Sequence, residues 1–192
     1  MRKDPLISVV MAVYNGEDYL KEQVMTILNQ TYHCIEVIIV DDKSCDNTLR
    51  IAKGLAEEDS RIKIFENPCN LGYAQNFLKG LSYAKGDYIC FSDQDDYWLN
   101  DKIEVLRSFL DKNEKNILAY SDMEICNENL VTIHKSFQKV SGIAPRKGHI
   151  RDVAFLKNIM PGCSMMFRKE VVSLIKDKDA TLPLMHDHLI LY

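Results

Sequence analysis

The sequence lacks the features that mark a nucleic-acid-binding protein or a membrane-spanning one. No run of lysine and arginine is longer than a pair, and the formal net charge is −4. Because nucleic-acid-binding domains carry basic patches, this balance argues against nucleic acid as a partner. The longest uninterrupted apolar stretches, such as residues 9–14, are far too short to span a bilayer.

A leader peptide and paired cysteines are also missing. No charged and then apolar segment with a small-residue cleavage site opens the chain, so we expect a cytosolic protein. The six cysteines include no C-x-x-C pair, and most lie in or beside apolar runs. This pattern predicts buried, reduced thiols rather than disulfides or a zinc site.

The size of the chain predicts one domain. With 192 residues, of which 46% are hydrophobic, it can bury one sizeable core. The pattern of the sequence divides this domain, 1–192, into two halves, 1–98 and 99–192. The final residues, 188–192, are an apolar run without a polar tail, whereas a native terminus usually ends in polar residues. We therefore expect the second half to be truncated.

The first half alternates short β-branched runs with segments of helical periodicity. This alternation predicts an α/β fold with a mostly parallel, Rossmann-like sheet that is flanked by helices. After Trp98 the pattern changes and predicts a smaller mixed or antiparallel sheet, with a mobile loop at residues 136–148. The predicted strands are 7–13, 35–40, 62–65, 88–92, 118–121, 123–126, 130–134 and 163–167, and 123–126 with 130–134 is expected to form a hairpin.

Three carboxylates, those of Asp93, Asp95 and Asp96, lie within four residues directly after the fourth predicted strand. Such groups repel one another and are tolerated when a hard cation lies among them, most often a divalent metal that holds a diphosphate. A solvated acidic loop or a helix N-cap is the alternative that this motif leaves open.

Polar loops follow three predicted strands, at residues 14–17, 41–44 and 93–96. In an open α/β sheet, ligands bind beyond the carboxyl ends of the strands. None of the three loops has the glycine pattern of a dinucleotide fingerprint or a P-loop. A site of this kind must neutralise phosphate with a metal ion.

Five motifs stand in order along the chain and resemble the family 2 inverting glycosyltransferases, which have the A-type nucleotide-sugar fold. The resemblance is strong over residues 7–98 and weaker over 161–167 and 186–187. One departure is Lys43, where the family usually has glycine. The motifs are Val13-Tyr14-Asn15, Val40-Asp41-Asp42-Lys43-Ser44-x-Asp46-x-Thr48, Asn70-Leu71-Gly72 with Asn76, Gly86-Asp87-Tyr88, and Ser92-Asp93-Gln94-Asp95-Asp96-x-Trp98.

The resemblance implies a nucleoside site at the ends of the first two strands. Asp41 would accept the N3–H of a pyrimidine base. Tyr14 would pack on the base or the ribose, although spacing alone fits a strand-end core aromatic equally well. Ala12 and Gly72 would let the nucleotide approach the backbone closely.

For the acidic loop, the resemblance implies that Asp93 bonds the ribose. Asp95 would bind the Mg²⁺ or Mn²⁺ that bridges the two phosphates of the donor. Asp96 is a candidate second metal carboxylate, with capping of the following helix as its alternative. Trp98 could offer a ring face to a sugar, or it could belong to the core.

Transfer of a sugar needs a general base for the acceptor hydroxyl. Asp187 matches the family's catalytic base, and His186 would orient the acceptor or contact phosphate. Taken alone, the triplet His186-Asp187-His188 would as often be a metal site or a solvated turn.

The function that follows is transfer of a sugar with inversion from a pyrimidine-nucleotide donor, dTDP-rhamnose or a UDP-hexose. The acceptor would be a saccharide or a lipid-linked saccharide in bacterial surface polysaccharide synthesis. A lipid-linked acceptor would bring this cytoplasmic protein into peripheral association with the inner face of the cell membrane. A nucleotidyltransferase is an alternative, but residues 14–17 lack the glycine-rich basic loop of that class. A catalytically silent nucleotide-sugar-binding module is the other alternative.

Overall fold

A computed structural model describes residues 4–142 and 161–176 of the chain. The elements alternate between strand and helix over the first half, as the sequence predicts. They are β1 (Ile7–Val13), α1 (Leu20–Leu28), β2 (Ile35–Asp41), α2 (Thr48–Glu58), β3 (Ile62–Glu66), α3 (Tyr73–Tyr83), β4 (Tyr88–Ser92), α4 (Lys102–Asp111), β5 (Leu118–Tyr120), β6 (Ile125–Cys126), β7 (Thr132–His134), α5 (Phe137–Val140), a 3₁₀ turn (Gly162–Ser164), β8 (Met165–Arg168) and α6 (Val171–Lys176).

Six of the strands form one sheet in the order β3-β2-β1-β4-β8-β5. The first four are mutually parallel, whereas β8 runs antiparallel to both β4 and β5. The predicted α/β fold with a mostly parallel sheet is therefore confirmed. Strands β2 and β3 follow β1 on one side of the sheet, whereas β4 lies on the other side of β1. The position between β1 and β4 is therefore a topological switch point, where open α/β sheets bind ligands.

Helices cover both faces of this sheet. On one face, residues of α1, α2 and α4 form one buried cluster with alternate residues of β1, including Val9 and Met11. On the other face, α3 packs through Phe77 and Leu81 on a cluster that includes Val10. Because β1 and β2 are covered on both sides, their sequences are almost continuously apolar.

The second half differs from the first, and the predictions for it are partly confirmed. Strands β6 and β7 pair antiparallel as a separate small sheet, which confirms the predicted hairpin. The prediction of a loop at 136–148 is wrong at its start. The Ser136 hydroxyl accepts the Lys139 N–H and caps the short helix α5. The sequence did not predict this helix because four residues are too few to show helical periodicity.

The Gly86-Asp87 motif has a structural explanation at the opposite edge of the sheet. The Leu6 N–H donates to the Asp87 carboxylate, and the Asp87 N–H donates to the Leu6 carbonyl. The Gly86 N–H donates to the Ser8 hydroxyl, and a Cβ on Gly86 would lie 2.6 Å from the Ser8 nitrogen. This close approach joins the start of β4 to β1 and needs glycine.

The cysteines are all free, as predicted, but they are not mostly buried. Cys90 and Cys163 are buried, whereas Cys45, Cys69 and Cys126 are exposed. The exposed cysteines lie in loops or in the small hairpin, outside the two buried clusters of the main sheet. Over residues 4–142 and 161–176, no helix is both long and apolar enough to cross a bilayer.

Candidate functional site

The carboxyl ends of β1, β2 and β4 meet at one edge of the sheet. In the strand register Val13 lies beside Asp41, and Met11 lies beside Ser92. This register brings together the loops that begin at Tyr14, Asp42 and Asp93. Ala12, a partly buried residue of β1, lies opposite Val40 just beneath this edge. The predicted donor-site residues of the first half are therefore neighbours in the fold.

Asp41 and Asp42 are adjacent in sequence and buried, but their carboxylates differ in hydrogen bonding. Asp42 accepts from Asn67 Nδ2 at 2.7 Å and from the backbone N–H groups of Leu71 and Gly72, each at 2.8 Å. Asp41 Oδ2 accepts only from the Ser44 N–H, at 3.1 Å, and Asp41 Oδ1 has no hydrogen-bond partner among the described residues. Buried acceptors are rarely left unpaired, so Asp41 Oδ1 is the candidate ligand-binding atom.

The three hydrogen bonds of Asp42 shape the loop that contains Gly72. Gly72 has a φ of +81°, a conformation that glycine adopts with little strain, and a Cβ there would meet open space. The space beside Gly72 is therefore open, and its role in a close approach of the nucleotide stays a prediction. Asp42, for which the sequence predicted no role, is the residue that holds this loop in place.

The loops after β1 and β2 are tied together by polar side chains. Asn15 Oδ1 accepts the Cys45 N–H at 2.8 Å, and the Asn15 N–H donates to the Ser44 hydroxyl at 3.0 Å. The Gly16 N–H donates to the Thr48 hydroxyl at 2.7 Å. The two loops therefore form one unit, and Tyr14, which is 45% exposed, lies on its surface rather than in the core.

Lys43 shows why a glycine is usual at its position. Its φ is +65°, in the left-handed region, which costs a non-glycine residue about 1 kcal/mol. The exposed Lys43 ammonium pairs with Glu66 at 3.2 Å. The departure from the family pattern thus adds a positive charge to the surface of this turn.

The acidic loop presents carboxylates at different depths. Asp95 is exposed, whereas Asp93 and Asp96 are partly buried. Ligand atoms of Asp93, Asp96 and Cys163 lie within 4.8 Å of one another.

Burial raises the pKa of Asp96, although the nearby Lys102 opposes this rise. Burial also raises the pKa of the Cys163 thiol, and a protonated thiol is a poor metal ligand. The carboxylate oxygens of this loop are the donors that suit Mg²⁺ or Mn²⁺.

Trp98 belongs to the core, which is the second of the two roles that the sequence left open. Only 1% of the residue is exposed, so neither face of its ring is open to a sugar. Lys102 lies over the ring, with Nζ 3.8 Å from the centroid, and donates to the Cys163 carbonyl at 2.6 Å. Helix α4 begins at Lys102 after Asp101, so Asp96 does not cap it. Lys102 thereby joins the acidic loop to the turn that precedes β8.

Two buried glutamines, Gln23 in α1 and Gln30 just after that helix, support the segment from β4 to α4. The Gln23 amide, oriented so that each atom meets a complementary group, accepts from the Ser92 hydroxyl at 2.8 Å and from Trp98 Nε1 at 3.1 Å. Gln30 Nε2 donates to the Leu99 carbonyl at 2.8 Å, and Gln30 Oε1 accepts the Ile103 N–H at 3.0 Å. A glutamine on the buried face of α1 was the sequence signal for the role of Gln23, and it was missed.

The remaining predicted residues, Asp187 and His186, lie outside the described residues. Their roles as general base and acceptor contact therefore stay predictions. Within the described part, Ala12, Tyr14, Asp41, Gly72, Asp93, Asp95 and Asp96 lie along the carboxyl edge of the sheet, and Trp98 lies beneath it.

A profile of the family described as Glycosyl transferase family 2 matches residues 8–175 of the chain. The chain belongs to this family. The match covers β1 through most of α6, so it includes every described residue of the candidate site. Membership favours a glycosyltransferase over the nucleotidyltransferase alternative.

Bacterial relatives are similar over most of the chain. This chain is 37% identical over 160 residues to the Escherichia coli UDP-Glc:alpha-D-GlcNAc-diphosphoundecaprenol beta-1,3-glucosyltransferase WfgD. The matched region covers 83% of this chain and 58% of that protein. This chain is 32% identical over 167 residues to the Shigella flexneri dTDP-rhamnosyl transferase RfbG, with 84% and 55% covered. The chain thus spans about half the length of the curated relatives it matches.

Solved structures of glycosyltransferases share the fold. The crystal structure of S. aureus TarS 1–349 in complex with UDP-GlcNAc superposes with a TM-score of 0.72 at 23% identity and covers 96% of this chain and 52% of that one. The mannosyltransferase PcManGT from Pyrobaculum calidifontis, in complex with GDP-Man and Mn²⁺, gives 0.72 at 18% identity, with 98% and 51% covered. The fold is the A-type nucleotide-sugar fold that the sequence predicted.

The different hydrogen bonding of Asp41 and Asp42 predicts opposite effects on stability. Asp42→Ala should lower the free energy of unfolding by about 2–4 kcal/mol, because three donors lose a charged acceptor. Asp41→Asn should leave the free energy of unfolding unchanged or raise it, because it removes a buried charge that is poorly paired. Urea unfolding followed by circular dichroism measures both. A larger loss for Asp41→Asn than for Asp42→Ala would contradict the assignment of Asp42 as the structural carboxylate.

Proposed function

We propose that the protein transfers a sugar, with inversion, from a pyrimidine-nucleotide donor to a saccharide or lipid-linked saccharide acceptor. The observation that carries the proposal is Asp41 Oδ1, a buried acceptor that has no partner among the described residues and lies one strand from the switch point of the sheet. The exposed Tyr14 ring lies at the end of the neighbouring strand, and the carboxylates of residues 93–96 follow the strand beyond it. The acceptor, the aromatic ring and the carboxylates thus lie in the order in which a bound nucleotide would place its base, its ribose and its diphosphate.

The preference for a pyrimidine follows from the direction of hydrogen bonding at Asp41. Uracil and thymine each carry an N3–H donor, whereas the corresponding ring nitrogen of adenine is an acceptor. Guanine also offers a ring N–H, and the mannosyltransferase with a similar fold holds GDP-Man. Pyrimidine donors are the better proposal here because the relatives at 37% and 32% identity are named for UDP-Glc and dTDP-rhamnose.

The carboxylates of the acidic loop fit a divalent metal, and we propose Asp95 as the principal ligand with Asp93 near the ribose. Mg²⁺ or Mn²⁺ would neutralise the diphosphate as it leaves, which matters because no glycine-rich or basic loop lies at this edge among the described residues. Asp96 is the candidate second carboxylate, and its position near Lys102 and Cys163 links it to the turn before β8.

We propose Asp187 as the general base. The acceptor hydroxyl oxygen would form a bond to the anomeric carbon, the bond from that carbon to the diphosphate oxygen would break, and the hydroxyl proton would pass to the Asp187 carboxylate. Attack from the side opposite the diphosphate inverts the anomeric centre. His186 would hold the acceptor or a phosphate oxygen beside this carboxylate.

The acceptor is proposed by similarity with the relatives. One is named for a diphosphoundecaprenol-linked acceptor, which is a lipid-linked saccharide. We propose a role in bacterial surface polysaccharide synthesis, with cytoplasmic donor binding and peripheral association at the inner face of the membrane. The single domain with a donor half, 1–98, and an acceptor half, 99–192, is part of this proposal, because the two halves would hold the two substrates.

The choice of base is testable through Asp41. UDP or dTDP should bind more tightly than ADP by about 1–3 kcal/mol, the scale of a hydrogen bond to a charged group. Asp41→Asn should remove most of that preference, because its amide nitrogen can take the position of the unpartnered oxygen. Calorimetric titration of each nucleotide with Mn²⁺ present measures both effects. Equal binding of ADP and UDP by the wild-type protein would show that another group reads the base.

Metal dependence is testable through the acidic loop. Removing divalent metal with EDTA should weaken binding of the nucleoside diphosphate, and Asp95→Ala should have the same effect without EDTA. The two treatments together should be no worse than either alone, because both remove the same interaction. The affinity for UDP, measured by calorimetry, is the readout. An unchanged affinity after both treatments would remove the metal from the proposal.

The role of Asp187 is testable by separating binding from turnover. Asp187→Asn keeps the volume and the hydrogen-bonding reach of the side chain but removes its basicity. Turnover should fall by about 10²–10⁴-fold while the affinity for the donor stays the same. If donor affinity falls in parallel, Asp187 is a ligand for metal or phosphate. Unchanged turnover would indicate that His186-Asp187-His188 is a surface turn. No turnover in the wild-type protein would favour the alternative of a catalytically silent nucleotide-sugar-binding module.

A further inference from the structure

The side chain of Gln94 connects two loops of the candidate site across the switch point. Backbone pairing between β1 and β4 ends at Met11 and Ser92. Beyond that pair, Gln94 Oε1 accepts the Tyr14 N–H at 2.9 Å, and Gln94 Nε2 donates to the Tyr14 carbonyl at 3.2 Å. The amide therefore satisfies both backbone groups of one residue, as a neighbouring strand would. It continues the connection between the two loops where the strands themselves no longer pair.

Gly16 leaves the space that this amide occupies. A Cβ built on Gly16 would lie 2.5 Å from Gln94 Cδ and 2.9 Å from Gln94 Nε2. The nearest atoms in its way all belong to this one side chain. The need for glycine at position 16 therefore comes from Gln94, and a methyl group there would displace the amide before it disturbed anything else.

We infer that Gln94 is a positioning residue for the donor, an inference that rests on the proposed function. Tyr14 would pack on the base on one side of the switch point, whereas Asp93 and Asp95 would hold the ribose and the metal-bound diphosphate on the other. Gln94 lies between these carboxylates in sequence and forms two hydrogen bonds with the backbone of Tyr14. It thereby sets the separation of the two half-sites, and a nucleotide that must reach both at once depends on that separation.

A pair of independent substitutions tests the geometry. Gln94→Ala removes both hydrogen bonds, and Gly16→Ala should displace the same amide while keeping its chemistry. Each should weaken the binding of UDP with Mn²⁺ by about 10-fold, the scale of two lost neutral hydrogen bonds. The double variant should also lose about 10-fold rather than about 100-fold, because both changes break the same connection. Gln94→Asn, which is one methylene too short to reach, should behave like Gln94→Ala.

Gly54→Ala is the matched control for the added methyl group. Gly54 lies within α2, and a Cβ there would meet nothing within 4 Å. This variant should bind UDP as the wild-type protein does and should unfold at the same or a higher temperature, because alanine favours a helix over glycine.

Ligands that occupy one half-site separate a positioning role from a merely structural one. Uracil alone, titrated by ligand-observed NMR, should bind Gln94→Ala and the wild-type protein equally, because the base without its ribose does not reach the acidic loop. Mn²⁺ alone, followed by electron paramagnetic resonance, should also bind both equally. Only UDP with Mn²⁺, which spans both half-sites, should lose affinity.

Three results would overturn the inference while leaving the proposed function in place: an unchanged UDP affinity in Gln94→Ala, an equal loss for uracil and UDP, or losses that multiply in the double variant. A wild-type protein that binds neither UDP nor dTDP would instead remove the proposed function, and this inference with it.

Discussion

Strand β1 pairs with β2 on one side and with β4 on the other, and this double pairing places every described group of the candidate site. The register beside β2 puts Asp41 next to the last residue of β1, and the register beside β4 puts the acidic loop on the other side. The pairing of β1 with β4 starts from a close contact at the opposite edge, where Gly86 leaves room for the Ser8 backbone. A shift of one residue in either register would turn the site residues to the wrong face.

The carboxylates at this edge divide into those that build the loops and those that remain open. Asp42 is used by three donors from the loop before α3, and Asp46 accepts from Thr48 and from the Glu17 N–H. Among the described residues, Asp41 keeps one buried oxygen without a hydrogen-bond partner, and Asp95 stays exposed. An unpaired buried acceptor lowers stability, and for this reason we propose Asp41 as a binding residue rather than one that the fold requires.

Support for the acidic loop comes from distant parts of the chain. Gln23 reaches Ser92 and Trp98, on either side of the loop, from α1, and Gln94 joins the loop to the one after β1. Gln30 bonds Leu99 and Ile103 just beyond the loop, and Lys102 lies over the Trp98 ring and bonds the turn before β8. Side chains from other parts of the chain therefore hold the backbone on both sides of the acidic loop.

The sequence by itself determined the alternation of strands and helices, the parallel sheet and the loops that carry the site, because apolar periodicity and strand-end carboxylates are local signals. The tertiary structure alone decided which of two adjacent aspartates is open, since Asp41 and Asp42 look alike until Asn67, Leu71 and Gly72 fold back onto one of them. It also decided that Trp98 is core and Tyr14 is exposed. Hydrogen-bond partners and burial arise from contacts between residues far apart in the chain, and no local pattern records them.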